Sequence, residues 1–386
     1  MAEITVAFDA GTSSSKVIAS YPSGECPFND ESSFLIEPSV RELTETTYHE
    51  LLEYVEGGIG LDSSLVSYLN PINGERVYWE VGESASRPGL LFVNERKFET
   101  LLVKVLAILG YLVHTSVKTQ TQVQLNLGIL LPLDEIEDRA LLASWLRKII
   151  EGQGFSINGY LIDNLCVNKL KIYCKPEGYG IHKSFPSNRT GVLVMGHSDL
   201  SWLFFKQGRF STHNSHVFPG SGMHNFIKSL KFPVQYELST AELIAKAGTN
   251  LDPKFLVELT QTKSDDEIAH LTKAIKLARP QYWREREKEF EFLDIKITDQ
   301  VCVAGGAANY FSAELTELFK EKYGIKLNWC KSLAKEFRQR FALKAGDTSI
   351  PLFLDCYGYF KTISQIKTVT PAVEKPKLEV VKSASS

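Results

Sequence analysis

Asp9 is followed by Gly11, by four consecutive hydroxyl side chains (Thr12, Ser13, Ser14 and Ser15), and then by Lys16. A turn of this composition offers backbone N–H groups, hydroxyl donors and an ammonium to an anion. Asp9 has the opposite electrical requirement and calls for a cation beside it. A phosphate chain carrying Mg²⁺ would satisfy both halves. The same residues also suit an ordinary hairpin, with Gly and Ser serving the turn and Asp9 making a local hydrogen bond. The flanking runs Ile4–Ala7 and Val17–Ala19 are apolar and rich in β-branched residues, so the stretch reads as strand, turn, strand.

Four more glycine-bearing turns follow in order: KPEGYG (175–180), MGHSDLS (195–201), PGSGM (219–223) and AGGAA (304–308). Each follows or faces a predicted strand. The hairpin beginning at Thr190 copies the layout of the first, which suggests an internal duplication. No GxxxxGK[ST] is present, so the chain is not a P-loop protein, and no GxGxxG with a downstream acid stands in a Rossmann position.

The elements that must carry these turns alternate between strand and helix. Helical length and spacing mark 97–114, and 122–132 reads as a strand closed by Pro132. Residues 133–152 read as a helix with Asp134 as its cap and Gly152 near its end. KPEGYG ends a strand, and PGSGM opens a helix, where backbone N–H groups could meet phosphate. The charged stretch 238–291, ending REREKEFEF, reads as a solvated helix face. A last, largely apolar helix follows Pro351. The Pro-, Lys- and Ser-rich residues 366–386 read as a disordered tail.

In this order the motifs resemble the actin/Hsp70/sugar-kinase superfamily. The pieces FDAGTSSSKV, LNLGILLPL, VFPGSGMHNFIKSL and VCVAGGAANYF resemble the bacterial actin-like ParM/StbA family of plasmid-partition proteins, over roughly residues 2 to 365. The resemblance implies an α/β actin-like ATPase fold of two duplicated ribonuclease-H-like lobes with a nucleotide cleft between them. Domain I would span 1–185 and domain II 186–348, with a C-terminal helix, 349–365, returning to domain I.

It also implies a role for each turn. Asp9 would hold Mg²⁺ through water, and Gly11, Thr12, Ser13 and Ser14 would wrap the β- and γ-phosphates of ATP or GTP, with Lys16 adding charge. Glu177 would position the attacking water, although an exposed Glu in a Pro-Gly turn is otherwise simply solvated. Gly196 would close on the phosphates from the other lobe. Gly220, Ser221 and Gly222 would face the nucleotide, and Gly305, Gly306 and Ala307 would admit the adenosine. The chain departs from the family at the second phosphate turn, where Val194 stands in place of the usual acid and Ser201 in place of a frequent second one. Asp199 is the carboxylate nearby, readable as a shifted catalytic acid or as an ordinary turn aspartate.

Three functions remain open on these residues. The first is a filament-forming actin-like ATPase with slow hydrolysis, moving plasmid or other DNA cargo through a small DNA-binding adaptor protein. The second is a cytoskeletal scaffold filament that polymerises with little turnover, which Val194 favours. The third is a small-molecule kinase, because DAGTSSSK is close to the DxGTSSxK opening of carbohydrate kinases. The 386 residues are 44% hydrophobic and 23% charged, the range of a globular protein. A net charge of -3 argues against direct nucleic-acid binding and fits an adaptor instead. The apolar stretch Val105–Val113 is too short to span a bilayer. No signal peptide precedes the first strand, and six scattered cysteines without a CxxC pair read as reduced, mostly buried thiols, so a cytoplasmic protein is expected.

Overall fold

The computed structural model describes residues 2–364 apart from 12, 23–28, 56–59, 62, 86–96, 117–122, 164–166, 234–236 and 345. Thr12 and the expected tail, 366–386, therefore lie outside the described residues. The chain opens with an antiparallel meander of β1 (Ala2–Ala10), β2 (Ser15–Pro22) and β3 (Asn29–Ile36). An inserted unit follows, with β4 (Val40–Leu43), α1 (Glu45–Glu53), β5 (Ser63–Leu69) and β6 (Arg76–Gly82). Next come α2 (Lys97–Ser116), β7 (Val123–Leu131), α3 (Arg139–Arg147), β8 (Phe155–Ile157), β9 (Tyr160–Ile162) and β10 (Val167–Pro176). β7 and β10 lie parallel to β1, completing a sheet ordered β10-β7-β1-β2-β3, while β4, β6, β5, β8 and β9 form a separate antiparallel sheet.

Helix α4 (Tyr179–Ser184) leads to a second meander: β11 (Arg189–Met195), β12 (Leu200–Lys206) and β13 (Arg209–Phe218). Helices α5 (Met223–Ser229), α6 (Glu237–Ala247), α7 (Pro253–Leu256) and α8 (Asp265–Phe290) precede β14 (Gln300–Ala304), which joins parallel to β11. The order β14-β11-β12-β13 repeats β7-β1-β2-β3 of the first sheet, so the duplication suggested by two similar hairpins is present in the topology. The chain closes with α9 (Gly306–Tyr310), α10 (Ser312–Tyr323), α11 (Lys331–Arg340) and α12 (Ile350–Ile363).

Two local expectations are corrected. Residues 133–152 do not form one helix capped by Asp134: a 3₁₀ stretch, Leu133–Asp138, leads into α3 and then a π segment, Lys148–Gln153. The N-cap position falls on Pro132, which has no capping side chain. The acidic run serves another helix instead, because buried Glu135 accepts the Phe98 N–H of α2 at 2.6 Å. The charged end of α8 is not wholly solvated either. Tyr282, Trp283, Arg286 and Phe290 are buried on one face, at the spacing a helix stripe requires. α8 starts where local chemistry predicts, with Ser264 accepting Glu267 N–H and three acids in the first turn favoured by the helix dipole.

The core lies in three main parts. One packs α2 under the first sheet, and a second packs α5, α8, α9 and α10 on the second sheet, with Phe311 stacked on Tyr282 at 5.1 Å. The third joins the two sheets: Ala7 and Ile18 meet Val192, Leu203 and Cys302 through Phe353, Leu354, Tyr357 and Phe360 of α12. Cys302, Cys330 and Cys356 are buried free thiols and Cys174 is partly buried, as expected of these four; Cys26 and Cys166 lie outside the described residues.

Within the third core, His182 of α4 is 1% exposed and stacks face to face on Phe205 with ring centroids 4.1 Å apart. Burial holds its pKa down to about 4, with Lys183 adding to the effect. The unfolded imidazole titrates higher, so His182 supports the fold above about pH 6.5 and that support is lost as pH falls toward 4. His182→Phe preserves the stack and removes the titration. Its unfolding free energy should exceed that of the parent by an extra 1–2 kcal/mol or so at pH 5 compared with pH 7.5, read by urea denaturation.

Candidate functional site

The strand ends bring the glycine turns to the carboxyl edge of each of the two sheets. β1 ends level with β7 and β10, since Asp9 is opposite Leu130 and Leu131 is opposite Pro176. In the second sheet Val194 is opposite Ala304, and Leu200 is opposite both Met195 and Phe218. All five turns therefore follow the carboxyl ends of strands β1, β10, β11, β13 and β14. In open α/β sheets this is where ligands bind, because chain reversals leave backbone groups and helix starts facing a crevice.

At the first turn, Asp9 and Lys16 are cross-strand partners, both 8% exposed, with Lys16 Nζ 3.5 Å from Asp9 Oδ2. The ammonium lies directly beneath Gly11, where a Cβ would overlap it. Lys16 thus reaches the turn itself, and the pair neutralises Asp9 where an unpaired buried carboxylate would be costly. Ser14 is buried in the same turn, and Gly11 and Ser13 are partly exposed.

Glu177 sits between the two sheets. Its N–H donates to Leu131 O at 2.8 Å, fixing it to the end of β7. The next residue, Gly178, packs on the second sheet, where a Cβ would stand 2.9 Å from Leu203 Cδ1. Sequence reasoning missed the group that secures this turn. Asp355, buried on α12, accepts N–H from Gly178 through Oδ2 and from Ile181 through Oδ1, the latter at 3.1 Å. Burial above all, helped by the charges of Asp9 and Glu177, raises its pKa to about 7 against the pull of those two hydrogen bonds. The signal was one carboxylate inside the apolar run PLFLDCYGYF.

The MGHSDLS turn is wired to the PGSGM turn. Gly196 N donates to Asp199 O at 2.9 Å, Gly222 N to Ser198 O at 2.9 Å, Met223 N to Gly196 O at 3.1 Å and His224 N to His197 O at 2.8 Å. Gly220 N donates to Asp199 Oδ1 at 3.0 Å, and Ser221 N to Phe218 O at 3.2 Å. The amides of Gly220, Ser221 and Gly222 each have a protein acceptor, and those of Gly220 and Gly222 brace the 196–199 turn. Asp199 thus accepts the Gly220 N–H through one of its carboxylate oxygens.

Helix α8 holds the outer side of this brace. Tyr282 OH donates to Ser221 O at 2.7 Å and Gly222 O at 3.0 Å, and Ser221 Oγ donates to Glu289 Oε1 at 2.7 Å. Glu289 is paired with Arg286 at 3.0 Å. Burial raises the Glu289 pKa, opposed by Ser221 and Arg286. His197 is held down to about pKa 4 by burial and by neighbouring His224, 5.6 Å away between ring centres. Val194 and Ser201, where the resemblance expects acids, lie directly opposite one another across β11 and β12, so neither strand brings a carboxylate to this end.

The AGGAA turn adjoins the same turn. Gly305 has φ +100°, and a Cβ there would overlap the Met195 carbonyl, so only glycine lets β14 pass the end of β11 at this distance. Gly306 lies against Leu352 of α12, and Ala307 is buried at the start of α9. Among the described residues no three His, Cys, Asp or Glu side chains cluster to hold a metal, and no helix is long and apolar enough to cross a membrane. A single carboxylate, Asp9, is what Mg²⁺ requires when phosphate and water complete its shell, so the residues fit an ion delivered with a nucleotide.

No family model and no curated protein sequence matches the chain. Solved structures do. The actin-like protein Alp7A aligns over 94% of this chain and 96% of its own at 14% identity, with a TM-score of 0.57. A subunit of a 15-stranded ParM filament from Clostridium botulinum aligns over 95% and 100% at 17% identity, with a TM-score of 0.56. Bacillus thuringiensis ParM with ATP aligns over 94% and 98% at 13% identity, with a TM-score of 0.53. The fold is the actin-like fold of ParM and Alp7A.

Gly305→Ala tests the close passage of β14 over β11. The added methyl must displace the Met195 carbonyl and tolerate a left-handed φ, and urea denaturation should register a loss of about 2–4 kcal/mol.

Proposed function

We propose that the chain is a nucleotide-binding, actin-like filament protein, with ATP or GTP and Mg²⁺ held between the lobes 1–185 and 186–348. The observation that carries this reading is the gathering of all five glycine turns at the carboxyl edges of two sheets of like topology, joined by one shared core. Asp9 would hold the Mg²⁺ through water, and the Gly11–Ser14 turn with Lys16 would take the phosphates. The second turn, braced by 220–224, would close from the other lobe, and Gly305, Gly306 and Ala307 would admit the base and ribose. Glu177, fixed at the end of β10 between the lobes, would orient the attacking water. Mg²⁺ would neutralise phosphate charge during hydrolysis.

The relatives sharing the fold include a ParM within a filament and a ParM with ATP, which supports self-association driven by nucleotide. A gamma-phosphate bridging the two turns would favour one lobe arrangement, and its loss would release it. Cargo attachment through a small DNA-binding adaptor, in the cytoplasm, fits the chain's acidity and belongs to the same reading. Val194, Ser201 and the structural use of Asp199 favour slow turnover, and so a filament whose lifetime is long compared with that of a fast motor.

High-speed sedimentation of the purified protein with ATP, GTP, a non-hydrolysable analogue, ADP or no nucleotide tests this. A pellet with triphosphate or its analogue and none without nucleotide is expected. No pellet with any nucleotide, together with ATP consumption stimulated by a sugar, would overturn the filament reading in favour of a carbohydrate-type kinase. Asp9→Ala should remove the Mg²⁺ dependence of nucleotide affinity measured by fluorescent-analogue titration. Glu177→Ala should slow phosphate release by at least about tenfold while leaving that affinity within about twofold.

A further inference from the structure

The turn that carries Glu177 has no regular ladder of its own: it stands between the end of β10 and the six-residue helix α4. Its position is set by three contacts. Glu177 N–H is held by Leu131 O, Gly178 packs on Leu203, and Asp355 takes the amides of Gly178 and Ile181. Gly178 is the N-cap position of α4 with φ +86°, so it has no side chain that could supply the cap. The capping carboxylate arrives instead from α12, far along the chain.

The placement of that carboxylate is costly. Asp355 is buried, forms no ion pair among the described residues, and feels Asp9 and Glu177 as like charges. A neutral residue would avoid the desolvation cost but could not accept both amides in this geometry. The backbones make the arrangement possible. α4 and α12 cross at Gly180 and Gly358, where a Cβ on either would overlap the other helix's backbone. That close crossing brings Asp355 to the start of α4.

From this geometry we propose that Asp355 is a positioning residue for Glu177, holding the 176–178 turn from α12 so that the Glu177 carboxylate faces the nucleotide's terminal phosphate. The proposal rests on the nucleotide reading above for its consequence in turnover, but the hold itself is independent of that reading. Asp355 makes no contact with substrate in this scheme. It acts through the peptide amides on the carboxyl side of Glu177. Neutralising it frees at least one amide, and the turn gains alternatives that move Glu177 out of line.

The experiment compares the full-length protein with Asp355→Asn, Glu177→Ala and the double variant, measuring Mg-ATP affinity, phosphate release, and amide hydrogen exchange at Gly178 and Ile181. Asp355→Asn should slow phosphate release about tenfold with nucleotide affinity unchanged, and should add no further loss in the Glu177→Ala background. Exchange at the two amides should quicken while the β11 and β12 amides stay protected. An equal loss in both backgrounds would overturn the proposal, because a merely structural role acts whether or not Glu177 is present. Parental turnover and parental exchange in Asp355→Asn would overturn it as well.

If the parent protein releases no phosphate, hydrolysis is removed from the proposed function and exchange alone decides Asp355. Unchanged protection at Gly178 and Ile181 sinks the proposal, and quickening confined to that turn upholds the hold. Asp355→Glu keeps both acceptor oxygens but shifts them by one methylene, and it carries the same comparison if the Asn variant does not fold.

Discussion

The close crossing of α4 and α12 is the constraint on which the arrangement of the two lobes depends. Gly180 and Gly358 let the helix backbones meet, and Asp355 ties the start of one helix to the middle of the other. From that crossing α12 reaches both sheets. Leu352 touches Gly306 in the second lobe, the Cys356 thiol donates to the Ala7 and Lys16 carbonyls in the first, and Tyr359 OH donates to Tyr173 O of β10. Its aromatic and aliphatic side chains fill the core between the sheets. Full burial of each large apolar side chain contributes roughly 1.5–3 kcal/mol, so one helix supplies much of what holds the lobes together.

The same economy governs the candidate phosphate turns. Backbone N–H groups are strong donors that must find acceptors once buried. In the second turn the carbonyls of Gly196, His197 and Ser198 take amides from 222–224, so the PGSGM segment stiffens that turn. α8 then secures that brace through Tyr282 and Glu289. The long charged helix is thereby connected by hydrogen bonds to the turns at the carboxyl edge of the second sheet.

Electrostatically the two sides of the cleft differ. The first lobe brings Asp9 and Lys16 as a buried pair, with Glu177 and Asp355 nearby. The strands of the second lobe bring Val194 and Ser201, with Asp199 directed at a backbone amide. In the proposed function, groups for a metal-nucleotide would be concentrated on one side, with the other side contributing shape and backbone, an asymmetry that would lower rate more than ground-state binding.

How much was legible followed from the range of each interaction. Local pattern determined the strands β1, β2, β7, β11, β12 and β14, the helix α2 and the five glycine turns, because alternation, apolar runs and turn residues act over a few positions. The departure at Val194 came from the resemblance, aligned on Gly196. Local pattern misassigned Asp134, because the acid that caps a helix there is Glu135 and the helix is α2, distant in sequence. It took the end of α8 as solvated, because Ser221 and Gly222, which Tyr282 and Glu289 meet, belong to another element. Asp355 stayed unread for the same reason: its amides lie in α4. The sequence by itself therefore determined which turns exist and which residues they contain. Only the tertiary structure decided which amides of those turns find protein acceptors and which carboxylate holds the Glu177 turn, since hydrogen bonds between distant segments depend on packing that local pattern does not encode.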